Sequence, residues 1–436
     1  MNTILKIAFS LSALLIGQVS FAQKDEYVPP TPRNDDYNYT DNVRSVRLYP
    51  ADSETDYPIL QLGSPIQMVL EFDDLEAYNK NYFYKIIHCD AQWNPSTDIT
   101  VIDYIEGFQE NRIYSGENSF NTRTVEYVHY ELRFPNSDIK LKKSGNYLLK
   151  VYLNNDENEL VLTRRFMVFE PKMKVVPEMR RSATPPNAQT HQELRFTLQY
   201  AGISVPNPIQ DIKIAVLQNG RWDKCIQNFD PTAIRRDEQA YDLQGKIIFP
   251  AMREFRPLDL RTLRARSNQI NNIGFDAENQ VFMVELFEHF SRQDAVYSFV
   301  PDLNGKFILQ SFDFPNVKLQ GEYARVKFSL NMSEMADKDV YVMGSFSDWQ
   351  LYERHKMSFN PDKEVYEGEF LMKTGYYDFH YVYVPKGQPD MPHDFTRTEG
   401  SSFETENDYL FLIYYKPYGG RYDQLVAVQK YNSRPK

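Results

Sequence analysis

Only two cysteines occur in the 436 residues, Cys89 and Cys225, and their separation suits neither a C-x-x-C redox pair nor a metal-ligand spacing. Both stand in apolar strand contexts, Ile86-Ile87-His88-Cys89 and Lys224-Cys225-Ile226, which favours two buried free thiols over an inter-domain disulfide. The chain has no G-x-S-x-G elbow, no H-E-x-x-H, no phosphate loop and no G-x-G-x-x-G, so the motifs whose chemistry is understood are absent. Its seven histidines are scattered singly. His129 shares a polar strand face with Tyr127, Glu131 and Arg133, and His380 stands two residues from Asp378; both read as solvated strand faces. No catalytic residue, metal ligand or cofactor is therefore expected. Cations are outnumbered, 49 against 60 acidic residues, giving a net charge of -11 that makes nucleic acid and anionic lipid poor partners. Beyond the N-terminus no charge-free apolar run approaches the roughly 20 residues of a membrane span. Glycine is scarce at 18 residues, whereas 31 Tyr and 29 Phe are present, an excess that suits the half-buried faces of sheets.

The first residues combine Lys6, an apolar run from Ile7 to Ile16 and a Ser20-Phe21-Ala22 ending, the layout of a secretory signal peptide cleaved between Ala22 and Gln23. Export of a soluble product is the expectation. Residues 23–42 are polar, with Pro29, Pro30 and Pro32, and read as a flexible leader.

Three β units are expected after it, at 43–170, 171–316 and 317–436. In the first, Tyr147, Leu149, Val151 and Leu153 alternate with polar neighbours, as do Val128, Tyr130, Leu132 and Phe134. The strand count near seven suits an immunoglobulin-like sandwich. In the second, Leu194, Phe196, Leu198 and Tyr200 alternate, and Ile212, Ile214 and Val216 lead into Asn219-Gly220, a hairpin signal. Asn304-Gly305 predicts another hairpin, between Tyr297–Val300 and Phe307–Leu309. The fold class is all-β, a series of antiparallel sandwiches.

One segment runs against the acidic background. Residues 253–266 hold five arginines, with Phe255, Arg256, Asp259 and Arg261 at their centre. These side chains either bridge carboxylates between neighbouring domains or bind acidic and carbonyl groups of a partner.

Tyr84-x-Ile86-x-His88-x-Asp90-x-x-Trp93 resembles the strand and turn of small extracellular sandwich modules beside bacterial sensor propellers, where the tryptophan closes one end of the core. Val342-x-Gly344-x-Phe346-x-x-Trp349 and Gly375-Tyr376-Tyr377 onward resemble the glycogen-binding early-set sandwich. Together with Glu254-Phe255-Arg256-x-x-Asp259-x-Arg261 and the exported leader, these motifs resemble the type IX secretion system plug family over essentially the whole mature chain. The resemblance implies a non-enzymatic periplasmic protein that docks on the inner mouth of the giant outer-membrane β-barrel of the type IX translocon and seals the empty channel. The competing reading is a periplasmic glucan-binding protein that stacks sugars on Phe346 and Trp349. It lacks the second tryptophan of glycogen-binding relatives, since none follows Trp349.

Overall fold

A computed structural model describes residues 31–434 apart from 115, 121 and 124. The expected signal peptide and its Ala22-Gln23 cleavage point lie outside the described residues. The chain is almost wholly β, in several antiparallel sheets; the few helices are single turns such as Val101–Tyr104. No helix among the described residues is long and apolar enough to cross a membrane.

The first unit is a sandwich. One sheet runs in the order Val43–Pro50, Met68–Asp74, Val128–Phe134, Glu117–Asn118, and the other is built on Leu160–Phe169, Gly145–Leu153 and Tyr82–Cys89. Alternation puts Tyr147, Leu149 and Val151 inward with Phe72, Tyr82 and Tyr130, where the rings stack or meet edge to face. The opposite face of Gly145–Leu153 is not solvated. Leu148 packs there against Leu217, Leu410 and Leu412 of the second unit, so this sheet is buried on both sides.

The second unit closes with strands from the far end of the chain. Arg221–Gln227, Ile212–Gln218, Asp408–Tyr415 and Gln424–Asn432 form one sheet, facing another built on Lys174–Arg181 and His191–Gln199. The register sets Ile214 against Ile413 and Val216 against Phe411. The boundary expected at 316/317 therefore does not follow the sheets: the third unit is an excursion from the second, and residues 408–432 return to complete it. The physical reason is apolarity on both faces. Tyr409, Phe411 and Ile413 fill the second unit's core, while Leu410, Leu412 and Tyr414 meet the first unit.

The third unit is one ten-stranded sheet curled into a half-barrel. Its edges are Arg256–Asp259 and Ile270–Asp276, and its middle strands are Tyr376–Pro385, Lys338–Met343, Val365–Lys373 and Tyr323–Asn331. Val326, Phe328, Leu330, Val342 and Phe379 fill the hollow. Residues 256–286 belong to this sheet, with Val281–Leu286 parallel to Tyr323–Asn331. Asn304 and Gly305 adopt the positive φ values of a tight turn, 54° and 81°. The turn does not join a hairpin, because Phe307–Ile308 pairs with Tyr376 and Tyr377 instead. Asn219-Gly220 does join its two strands, Ile212–Gln218 and Arg221–Gln227.

From Arg33 onward the expected leader is laid against the body. Tyr37–Asn38 pairs with Leu162 and Thr163 of the first unit, and the Asn38 amide donates to the Tyr352 hydroxyl of the third at 2.8 Å. A buried asparagine and two tyrosines give this polar segment enough contacts to hold it.

Both cysteines are unpaired and pack in one cluster, Cys89 buried and Cys225 half-buried. Burial pushes each thiol up to about 12. At pH 8 a thiol reagent is expected to modify neither until the protein is denatured, as mass spectrometry would register; rapid labelling of the native chain would contradict this.

Candidate binding site at the junction of the three units

The charged side chains that look solvated in the sequence lie mostly between units. Asp73 accepts from Lys373 at 2.6 Å, from the Tyr323 hydroxyl at 2.7 Å and pairs with His129 at 2.7 Å, all buried. Strand Met68–Asp74 supplies Glu71 and Asp73 on alternate positions of one face, and the third unit covers that face. Arg47 pulls the Glu71 carboxyl down to about 2 against the opposing effect of burial. Glu71, His129 and Glu131 offer ligand atoms within 4.8 Å of one another, the best metal-like cluster among the described residues. Lys318 pairs with both carboxylates, so an ammonium of the third unit already supplies the cation there.

The arginine segment is an internal brace. Phe255 and Arg256 are buried, Phe255 stacking on His380 with ring centroids 3.9 Å apart. Arg256 Nε lies 3.0 Å from Glu399, which Arg292 also binds, and both partners belong to the third unit rather than to a neighbour. Asp259 and Arg261 are half-buried and pair with each other at 2.6 Å, with the guanidinium over Phe312 and Tyr376. The Asp378–His380 strand face is buried too: Asp378 accepts the amides of Leu303 and Gly305, and the His380 ring faces the Arg253 carbonyl at 3.1 Å.

Phe346 and Trp349 do not form an open platform. Phe346 meets His355 and Tyr377 edge to face. Trp349 is half-buried, with the Arg221 guanidinium 4.7 Å above its ring and Phe255 at its edge. Trp93 is buried with φ 69° and meets Trp222 of the second unit edge to face, so it closes the joint between two units as well as the end of a core.

Where the three units meet, a cavity of about 500 Å³ opens between Arg164, Arg165, Trp222, Lys306, Trp349 and His393. Arg164 pairs with Asp348 at 2.9 Å and Arg165 with Asp36 at 3.1 Å, so its walls are cross-linked by ion pairs between units and leader. Arg221 donates to the His393 ring at 2.6 Å and pairs with Asp223 at 2.6 Å. Burial and the neighbouring Arg221 push His393 down to about 3, so it is a neutral acceptor at physiological pH. Sequence reasoning does not find this cavity, because its residues come from stretches scattered between Arg33 and Leu410.

Residues 43–170 match a family model over the whole of the first unit. They belong to the type 9 secretion system plug protein 1st domain family. The plug first domain accordingly contains the Trp93 turn and the acidic face that the third unit covers. No curated protein matches the chain. A similar solved structure is described as a crystal structure of a hypothetical protein from Parabacteroides merdae; it shares 28% identity, covers 92% of this chain and 100% of its own, and superposes with a TM-score of 0.86. The arrangement of the plug first domain with the two units behind it thus recurs in another chain.

Proposed function

We propose that this chain is a non-enzymatic periplasmic plug, which docks on the periplasmic mouth of the large outer-membrane barrel of the type 9 translocon and seals the channel when no substrate occupies it. The match of residues 43–170 to the plug first domain carries this reading. The packing supports it: three units tied by buried ion pairs, a shared apolar cluster and a stapled leader form a stiff body. A seal needs such a shape, since specific interfaces bury at least about 1,000 Å² in total and a preorganised surface loses little entropy on docking.

Isolating the outer-membrane barrel under mild detergent is expected to bring this chain with it. Deleting the gene is expected to admit large antibiotics that the parent excludes, while secretion of type 9 cargo continues. A deletion strain no leakier than its parent, with no co-purification in either direction, would sink the reading.

A further inference from the structure

The junction cavity holds two cations that have no carboxylate within ion-pair distance among the described residues, Lys224, whose ammonium donates to the His393 carbonyl at 3.2 Å, and Lys306. Around them Arg33 pairs with Asp35, Arg164 with Asp348, Arg165 with Asp36, and Asp56 with Lys430. Among the described residues Lys306 has no carboxylate within ion-pair distance, and its ammonium lies 4.2 Å over the Tyr57 ring. Its backbone is fixed on both sides. The Gly305 amide is held by Asp378 at 3.2 Å, and Phe307 enters the third unit's core. Burial lowers the Lys306 pKa, the cost of holding a cation there unpaired.

The lining favours a peptide over a sugar. Trp222 and Trp349 each give up a flat ring face to a guanidinium, Arg165 at 5.3 Å and Arg221 at 4.7 Å, and a pyranose would stack on those faces. The volume falls within the range of about 300–1,000 Å³ that ligand pockets occupy. Met391 stands half exposed at the rim, an adaptable side chain suited to an extended chain.

We propose that an extended segment of the partner barrel enters this cavity and sets a carboxylate, from an acidic side chain or a chain terminus, on the Lys306 ammonium. This rests on the plug reading and names the grip.

The full chain is purified with the barrel from wild-type and variant strains, and melting temperatures are compared on the isolated variants. Lys306→Met and Lys306→Glu are expected to lower barrel recovery at least about tenfold, as loss of a desolvated charge pair does. Lys306→Arg should keep recovery within about twofold, since the charge remains. A benzophenone amino acid placed at Met391, on the exposed rim, should cross-link to a barrel peptide, and acidic-residue substitutions or removal of the barrel's terminus within that peptide would separate the two carboxylate sources. Unchanged recovery with Lys306→Glu would overturn the inference while leaving the plug reading intact. So would a cross-link to glycan or to residues 23–30 of the same chain. If the wild-type chain brings down no barrel, both fall.

Discussion

Glu399→Ala is expected to be the most damaging single change in the third unit, costing about 3–5 kcal/mol, the usual penalty for leaving buried charge uncompensated. Glu399 is fully buried and accepts from Arg256 Nε at 3.0 and 3.1 Å, from Arg292 Nε at 2.7 Å and from the Tyr381 amide at 2.8 Å. Burial alone would raise its carboxyl; the two guanidiniums outweigh that and hold it down to about 2. Alanine leaves both arginines without their counter-charge, and their remaining bonds, to the Phe290 and Glu254 carbonyls, neutralise nothing. The contrast is Arg261→Ala, which breaks a half-exposed pair with Asp259 and should cost under about 1 kcal/mol. Urea unfolding followed by fluorescence checks both; similar midpoints for the two variants would show that the Glu399 cluster is not the brace described.

Stability should pass through a maximum near about pH 6.5–7 and decline on either side, by linkage to groups with shifted pKa values. On the acid side, burial holds His380 and His393 at about 3 and His88 and His289 at about 4, against an ordinary 6.5. A histidine depressed by folding contributes stability that is full above 6.5 and lost as pH falls toward its folded value. On the alkaline side the sign reverses. Burial, with Asp302 nearby, raises Asp378 to about 8 from an ordinary 3.8, and burial raises Asp302 to about 6. A carboxyl raised by folding contributes stability that is full below its unfolded value and lost as pH rises through the folded one. Between about pH 6.5 and 8 Asp378 is the group that still changes, so Asp378→Asn should remove that decline. The variant should melt above wild type at pH 8.5, by on the order of a few kcal/mol, and converge with it near pH 4. Parallel profiles would exclude Asp378 as the source.

Strand existence is legible in this sequence because alternation is local: Tyr147, Leu149 and Val151, or Leu194, Phe196 and Leu198, show their inward face without reference to any partner. Pairing is not local. Nothing in Asp408–Tyr415 says that its neighbour is Ile212–Gln218 rather than a strand of the third unit, and apolarity on both faces looks the same whichever two layers enclose it. Polar faces mislead for a related reason. Glu71, Asp73, His129 and Glu131 alternate as a solvated face would, yet Lys318 and Lys373 come from far along the chain to pair with them. The arginine segment shows the opposite balance: its chemistry, planar donors seeking carboxylates, is readable, but the receiving Glu399 lies 143 residues away. The junction cavity is the least legible feature, since Lys306, Trp222 and Trp349 come together only after three units have met.

The return of residues 408–432 to the second unit bears on the order in which the protein assembles. A chain made and delivered from its N-terminus has every strand of the first unit in hand once Leu160–Phe169 has emerged, and the curled sheet is complete at Tyr376–Pro385. The second unit must wait for Gln424–Asn432, with Ile212–Gln218 unpartnered on one side until Asp408–Tyr415 arrives. Closing so long a loop is slow and leaves an apolar strand edge open in the meantime. Residues 408–432 are therefore the ones that lock the middle of the molecule, and a chain truncated before them has two finished units joined by an unfinished centre.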